Sequence, residues 1–123
     1  MSEGSNTEGD IIVASHSGPL AGEVIVPGAK NSVLKLMAAT LLADGRYLLT
    51  NAPVIVDVDI MADLLMAVGL DITFHPAAPD EVGQHIEIVN SGAITPVAPF
   101  ELADRIRASV NLVGPLLGRC GEI

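Results

Sequence analysis

Aromatic side chains are nearly missing from this 123-residue sequence: it has no tryptophan, one tyrosine and two phenylalanines. Half of the residues are nevertheless hydrophobic, so any core is built from Ala, Val, Ile, Leu and Met, and that supply excludes global disorder. Cysteine is down to Cys120 alone, which rules out an intramolecular disulfide and gives no sign of an oxidising compartment. Positive charge is scarce as well. Six Lys and Arg face fifteen Asp and Glu, for a net charge of −9 and a pI near 4.4. That balance argues against nucleic acid and anionic membranes as partners. An anion handled by such a chain must be met by a few local cations. Long apolar runs are absent too: Leu36–Ala39 and Leu41–Ala43, separated by Thr40, fall far below the roughly 18 residues of a membrane span. The opening "MSEGSNTEGD" has neither the basic start nor the apolar stretch of a signal peptide. A soluble cytoplasmic chain of at most one domain is expected.

What is present reads as a mixture of strands and helices. Residues 1–10 are a flexible tail by composition. Ile11–Ala14 and Glu23–Val26 read as short strands around a turn at Gly18–Pro19. Ser32–Ala43 is helical in pattern and apolar on nearly every face, with Asp44–Gly45 as its stop; a helix of that kind belongs in an interior. Arg46–Asn51 reads as a strand, and a helix follows from Asp57 or Asp59 to Val68, with acids at its start and Gly69 at its end. Leu70–His75 and His85–Asn90 form a hairpin across "PAAPDEVGQ", and "SGAITPVAP" is a connector. The last stretch, "FELADRIRASVNLVGPLLGRC", is helical with a break near Arg107 and a kink at Gly114–Pro115. The order ββ-α-β-α-ββ-αα is an α/β or α+β pattern. A strand-like Glu-Ile closes the sequence at Ile123, so the chain is expected to be a fragment.

Two places carry candidate chemistry. Lys30 and Asn31 stand where a strand-like run meets the apolar helix. The free N–H groups and dipole of a helix start favour an anion, and a lysine there adds a full charge. Asn31 or Ser32 is placed to cap the helix, and Gly28 permits close backbone approach. Arg107, beside Ala-Ser at the break, can offer its planar fork to a carboxylate or phosphate. Arg105, two residues before it, points elsewhere on a helix and reads as solvated, paired with Asp104 or Glu101. Asp57 and Asp59 read as ordinary helix-start acids. His16, His75, His85 and Cys120 have no metal-like spacing, and no Gly-rich phosphate loop occurs.

The segments "LAGEVIVPGAKNSVLKLMAATLLADG", "LTNAPVIVDVDIMADLLMAVG" and "RIRASVNLVGPLLGR" together resemble, in order and spacing, the start of the UDP-N-acetylglucosamine 1-carboxyvinyltransferases. These are members of the enolpyruvyl transferase family, and the likeness to actinobacterial forms is greatest at "VLKLMAATLLADG" and "GPLLGRC". It covers residues 11–123, all but the tail. The related enolpyruvylshikimate-phosphate synthases carry a Ser-Lys-Ser type junction, so Lys30–Asn31 argues for the nucleotide-sugar branch.

The resemblance implies that Lys30 binds phosphoenolpyruvate, that Asn31 lies where both substrates meet, and that Arg107 contacts the nucleotide-sugar side. It implies addition–elimination onto the sugar 3-hydroxyl in the first committed step of peptidoglycan synthesis, with no cofactor and no metal. It also implies two similar domains forming an inside-out α/β barrel of repeated βαβαββ units, of which residues 11–123 are an incomplete N-terminal portion. The family's general acid, Cys or Asp, lies on a loop past the strand begun here, so Cys120 is not that acid and no catalytic residue is assigned. Asn111 stands where the family often has an aromatic residue. Three other readings stay open: another nucleotide as acceptor, a non-catalytic remnant, or a module that binds anions or a partner chain. Exposed sheet edges and apolar faces make self-association an expectation.

Overall fold

The computed structural model describes residues 11–123; the tail expected over residues 1–10 lies outside the described residues. Helix α1 runs Lys30–Ala39 and tightens into a 3₁₀ turn over Thr40–Leu42. Strand β1 (Gly45–Ala52), helix α2 (Val56–Ala67) and strands β2 (Asp71–Pro76) and β3 (Gln84–Asn90) follow. A short helix α3 (Phe100–Ala103), a 3₁₀ segment over Arg107–Leu112 and helix α4 (Val113–Cys120) complete the chain.

The three strands form one antiparallel sheet in the order β1-β3-β2. Side chains alternate across a strand, so Ile86, Ile88 and Asn90 of β3 turn to one face and become buried. Tyr47 and Ile72 lie opposite Ile88 on the neighbouring strands and pack against the same core. Helices cover this face. Met37 and Leu41 from the α1 region and Val58, Met61, Leu64 and Leu65 from α2 are fully buried. Their aliphatic side chains form the core that a sequence poor in aromatics requires. The other sheet face is polar in part: Glu87 accepts from Arg46 and lies 3.1 Å from the His75 ring nitrogen.

Asn90 closes the sheet onto α1. Its side-chain amide is buried and donates to the carbonyls of Thr40 (2.9 Å) and Ala43 (3.1 Å), groups left free where the helix ends. Its oxygen accepts from the N–H of Gly92 at 2.9 Å. At the far end of the helix, β1 bulges between Leu49 and Ala52, with Asn51 in the left-handed region (φ 56°). The Gly28 N–H donates to the Asn51 carbonyl at 2.9 Å. A Cβ at Gly28 would overlap that carbonyl oxygen, and one at Gly83 would overlap the carbonyl oxygen of Ala52. Gly28 is therefore spent on backbone packing against the bulge.

Several expectations change. Ile11–Ala14 and Glu23–Val26 are not strands; both lie outside the sheet, with Ile12 and Val24 exposed at 94% and 83%. Their β-branched composition favours an extended backbone, but a strand also needs a partner, and the described residues place none beside them. Helix α1 begins at Lys30 rather than Ser32 and is capped by Ala29, without any side-chain cap from Asn31 or Ser32. Gly114–Pro115 is no kink. It occupies the first turn of α4, where proline loses no intrahelical bond. The hairpin, the second helix and the break before Arg107 stand where expected.

Two outcomes follow. Asn90→Ala takes the side-chain donor from the buried Thr40 carbonyl, while the Ala43 carbonyl keeps the Tyr47 hydroxyl, and is expected to cost about 2 kcal/mol in urea unfolding. The Glu87 carboxyl is held below its ordinary 4.5, first by the Arg46 hydrogen bond and then by His75. The folded state thus binds that proton less tightly than the unfolded chain. Its stabilisation is complete above the unfolded value and fades as pH falls from about 4.5 through the lower folded value. Urea midpoints measured across this window should decline less steeply in Glu87→Gln than in the parent.

Candidate functional site

The first turn of α1 meets the first turn of α2, because the apolar faces of these helices pack together beneath the sheet. Lys30 is the first residue of α1 and Asp57 the second of α2. Their side chains meet at 2.5 Å (Lys30 Nζ to Asp57 Oδ2), with 54% and 29% of each side chain exposed. Asp57 is therefore the partner of Lys30 as well as a helix-start acid. The amine is only partly neutralised, since an ammonium has three donors and this contact uses one.

The opposite wall comes from the break after α3. Ile106 is extended (φ −138°, ψ 138°) between that helix and the 3₁₀ segment, and its side chain is buried. Across an extended residue the two neighbours point the same way, opposite to the residue between them. Arg105 and Arg107 therefore both project outward beside each other. This overturns the expectation that Arg105 points elsewhere: a period of two applies here, not the helical 3.6. Nor does Arg105 pair with Asp104 or Glu101, as neither arginine takes an ion-pair partner among the described residues.

These walls enclose an open cleft of about 330 Å³, lined by Lys30, Asn31, Leu34, Asp57 and the Arg105–Ala108 stretch. All three residues singled out in the sequence, Lys30, Asn31 and Arg107, line it together. Sequence reasoning missed Arg105 and Asp57, for which composition and helical spacing give no signal. Three of the chain's six Lys and Arg meet at this cleft, in a chain of net charge −9. Such a concentration suits a phosphate or carboxylate: guanidinium forks grip planar anions, and an ammonium supplies a point charge.

The remaining candidates are engaged elsewhere. His75 lies against Glu87 and His85 against Glu81 (2.8 Å). Glu81 is held below its usual carboxylate value, first by the Ala78 N–H and then by His85. Cys120 is a partly buried free thiol at the end of α4. No described helix is long and apolar enough to cross a membrane.

The sequence pattern of the family described as EPSP synthase (3-phosphoshikimate 1-carboxyvinyltransferase) matches residues 14–123. The UDP-N-acetylglucosamine 1-carboxyvinyltransferase of Cellvibrio japonicus is 41% identical over 114 residues, covering 92% of this chain and 26% of that protein. The proteins of that name from Nocardia farcinica and Mycobacterium leprae are 46% and 45% identical over 82% and 84% of this chain. Among solved structures, the enolpyruvyl transferase NikO from Streptomyces tendae matches with a TM-score of 0.63 and 29% identity. That match covers 86% of this chain and 23% of NikO. The chain thus shares its mixed α/β fold with part of an enolpyruvyl transferase, and it spans about a quarter of the length of the curated relatives it matches.

Asp57 is the negative charge that an incoming anion meets in the cleft. Asp57→Asn should tighten binding of inorganic phosphate by about three- to tenfold, read by titration calorimetry at low ionic strength.

Proposed function

The chain belongs to the EPSP synthase (3-phosphoshikimate 1-carboxyvinyltransferase) family, and from that premise we propose that it supplies the phosphoenolpyruvate-facing part of an enolpyruvyl transferase. The acceptor in this reading is the 3-hydroxyl of UDP-N-acetylglucosamine, and the reaction is the first committed step of peptidoglycan synthesis, in the cytoplasm. It thereby serves cell-wall formation, and through it cell shape and division.

One observation carries the reading: Lys30, Arg105 and Arg107 converge on a single cleft in a chain that is otherwise strongly acidic. Phosphoenolpyruvate brings a phosphate and a carboxylate, and both need cations fixed in advance. Lys30 faces the phosphate, Asn31 offers an amide donor and acceptor where the two substrates meet, and Arg107 faces the nucleotide sugar. When the acceptor oxygen adds and phosphate leaves, charge shifts among these anionic groups. Cations already held in place stabilise that shift without rearranging, and a contact of this kind is worth about 3 kcal/mol in a transition state. The names of the relatives favour UDP-N-acetylglucosamine over other acceptors.

The cleft holds binding groups, and in this reading the proton donor belongs to another part of the whole enzyme. The 123-residue chain should therefore bind phosphoenolpyruvate without turning it over. Lys30→Ala should weaken that binding about ten- to hundredfold, measured by calorimetry alongside a circular dichroism control for folding. Unchanged affinity in Lys30→Ala, or phosphate release from both substrates by this chain alone, would overturn the reading.

A further inference from the structure

The six cations of this chain divide into two sets. Lys30, Arg46 and Arg119 each pair with a carboxylate: Asp57, Glu87 and Asp44. Lys35, Arg105 and Arg107 take no such partner among the described residues, although acids outnumber cations fifteen to six. The three unpaired cations are not scattered. Arg107, Asn31, Leu34 and Ala108 form the shared wall between the cleft already described and an adjoining one of about 290 Å³. Arg105 lies on the first cleft, and Lys35, with Asn111, on the second.

The helix geometry explains this continuity. Lys35 follows Asn31 by four residues, so the two stand on one face of α1 a turn apart, above buried Leu34. Across from them the chain goes from extended Ile106 into the 3₁₀ segment, carrying Arg107 toward the middle and Asn111 toward the far end. The two clefts make one groove, with Arg105 and Lys30 at one end, Arg107 central and Lys35 at the other.

We propose that Lys35 is a further ligand-binding residue, and that the groove takes a ligand with anionic groups at both of its ends. This rests on the anion-binding reading above and extends it, because an anion held by Lys30, Arg105 and Arg107 leaves Lys35 unused. A compact anion satisfies that end alone. An extended polyanion reaches Lys35 as well.

The test titrates the 123-residue chain with inorganic phosphate and with tripolyphosphate, using calorimetry, for the parent and Lys35→Ala. The Lys35 side chain is exposed, so folding should survive; circular dichroism checks it. Arg46→Gln removes equal charge outside the groove and serves as the control. Lys35→Ala should weaken tripolyphosphate about three- to tenfold while leaving phosphate within about twofold. Unchanged tripolyphosphate affinity in Lys35→Ala overturns the proposal. So does an equal loss for the two ligands, or a loss matched by Arg46→Gln, since either would reflect the general field alone. Lys30→Ala separates the two claims: phosphate binding that survives it contradicts the functional reading, whatever Lys35 does.

Discussion

Helix α1 is held at both ends by hydrogen bonds to the sheet, and the geometry of the cleft depends on that restraint. At its C-terminal end the buried Asn90 amide binds the carbonyls of Thr40 and Ala43, and Arg119 adds a bond to Leu42 at 3.1 Å. At its N-terminal end Gly28 is tied to the β1 bulge through Asn51. Between these anchors Met37 and Ala38 are buried and cannot slide without opening the core. With both ends and the axis set, Lys30 has one place to stand, beside Asp57 and across from the Arg105–Arg107 stretch.

Scarcity of positive charge gives this placement its weight. In a chain of −9 the long-range field repels anions, so an anion is held only where several cations act at short range. The fold gathers three cations by bringing a helix start against the break between α3 and the 3₁₀ segment, segments some 75 residues apart. Asp57 sets the balance there. The cleft has one internal ion pair, which limits repulsion among the three cations. An anion arriving at Lys30 adds to that arrangement or displaces it.

Much of this was legible in the sequence, and the exceptions share a cause. The amphipathic second helix, the hairpin and the lysine at the helix mouth follow from local periodicity and turn chemistry, which act over a few residues. Lys30, Asn31 and Arg107 stood out because their local motifs are distinctive, and the three line one cleft. Arg105 was misjudged because a helical period was applied to a stretch that is extended at Ile106. Asp57 and Asn90 looked like a common helix-start acid and a common strand end. Their roles come from contacts with Lys30 and with Thr40 and Ala43, distant in sequence and invisible to local pattern. The strands expected at Ile11–Ala14 and Glu23–Val26 fail for a similar reason: propensity is local, while pairing is not.

The central claim is that the start of α1 and the Arg105–Ala108 stretch form two walls of one anion site. Backbone amide NMR of the chain during a phosphoenolpyruvate titration tests it most directly. The account predicts that amides of residues 29–32 and 105–108 shift together along one isotherm, while those of the outer sheet face, such as Thr73 and Glu87, stay still. Shifts confined to one wall, or two walls saturating at different concentrations, would contradict it.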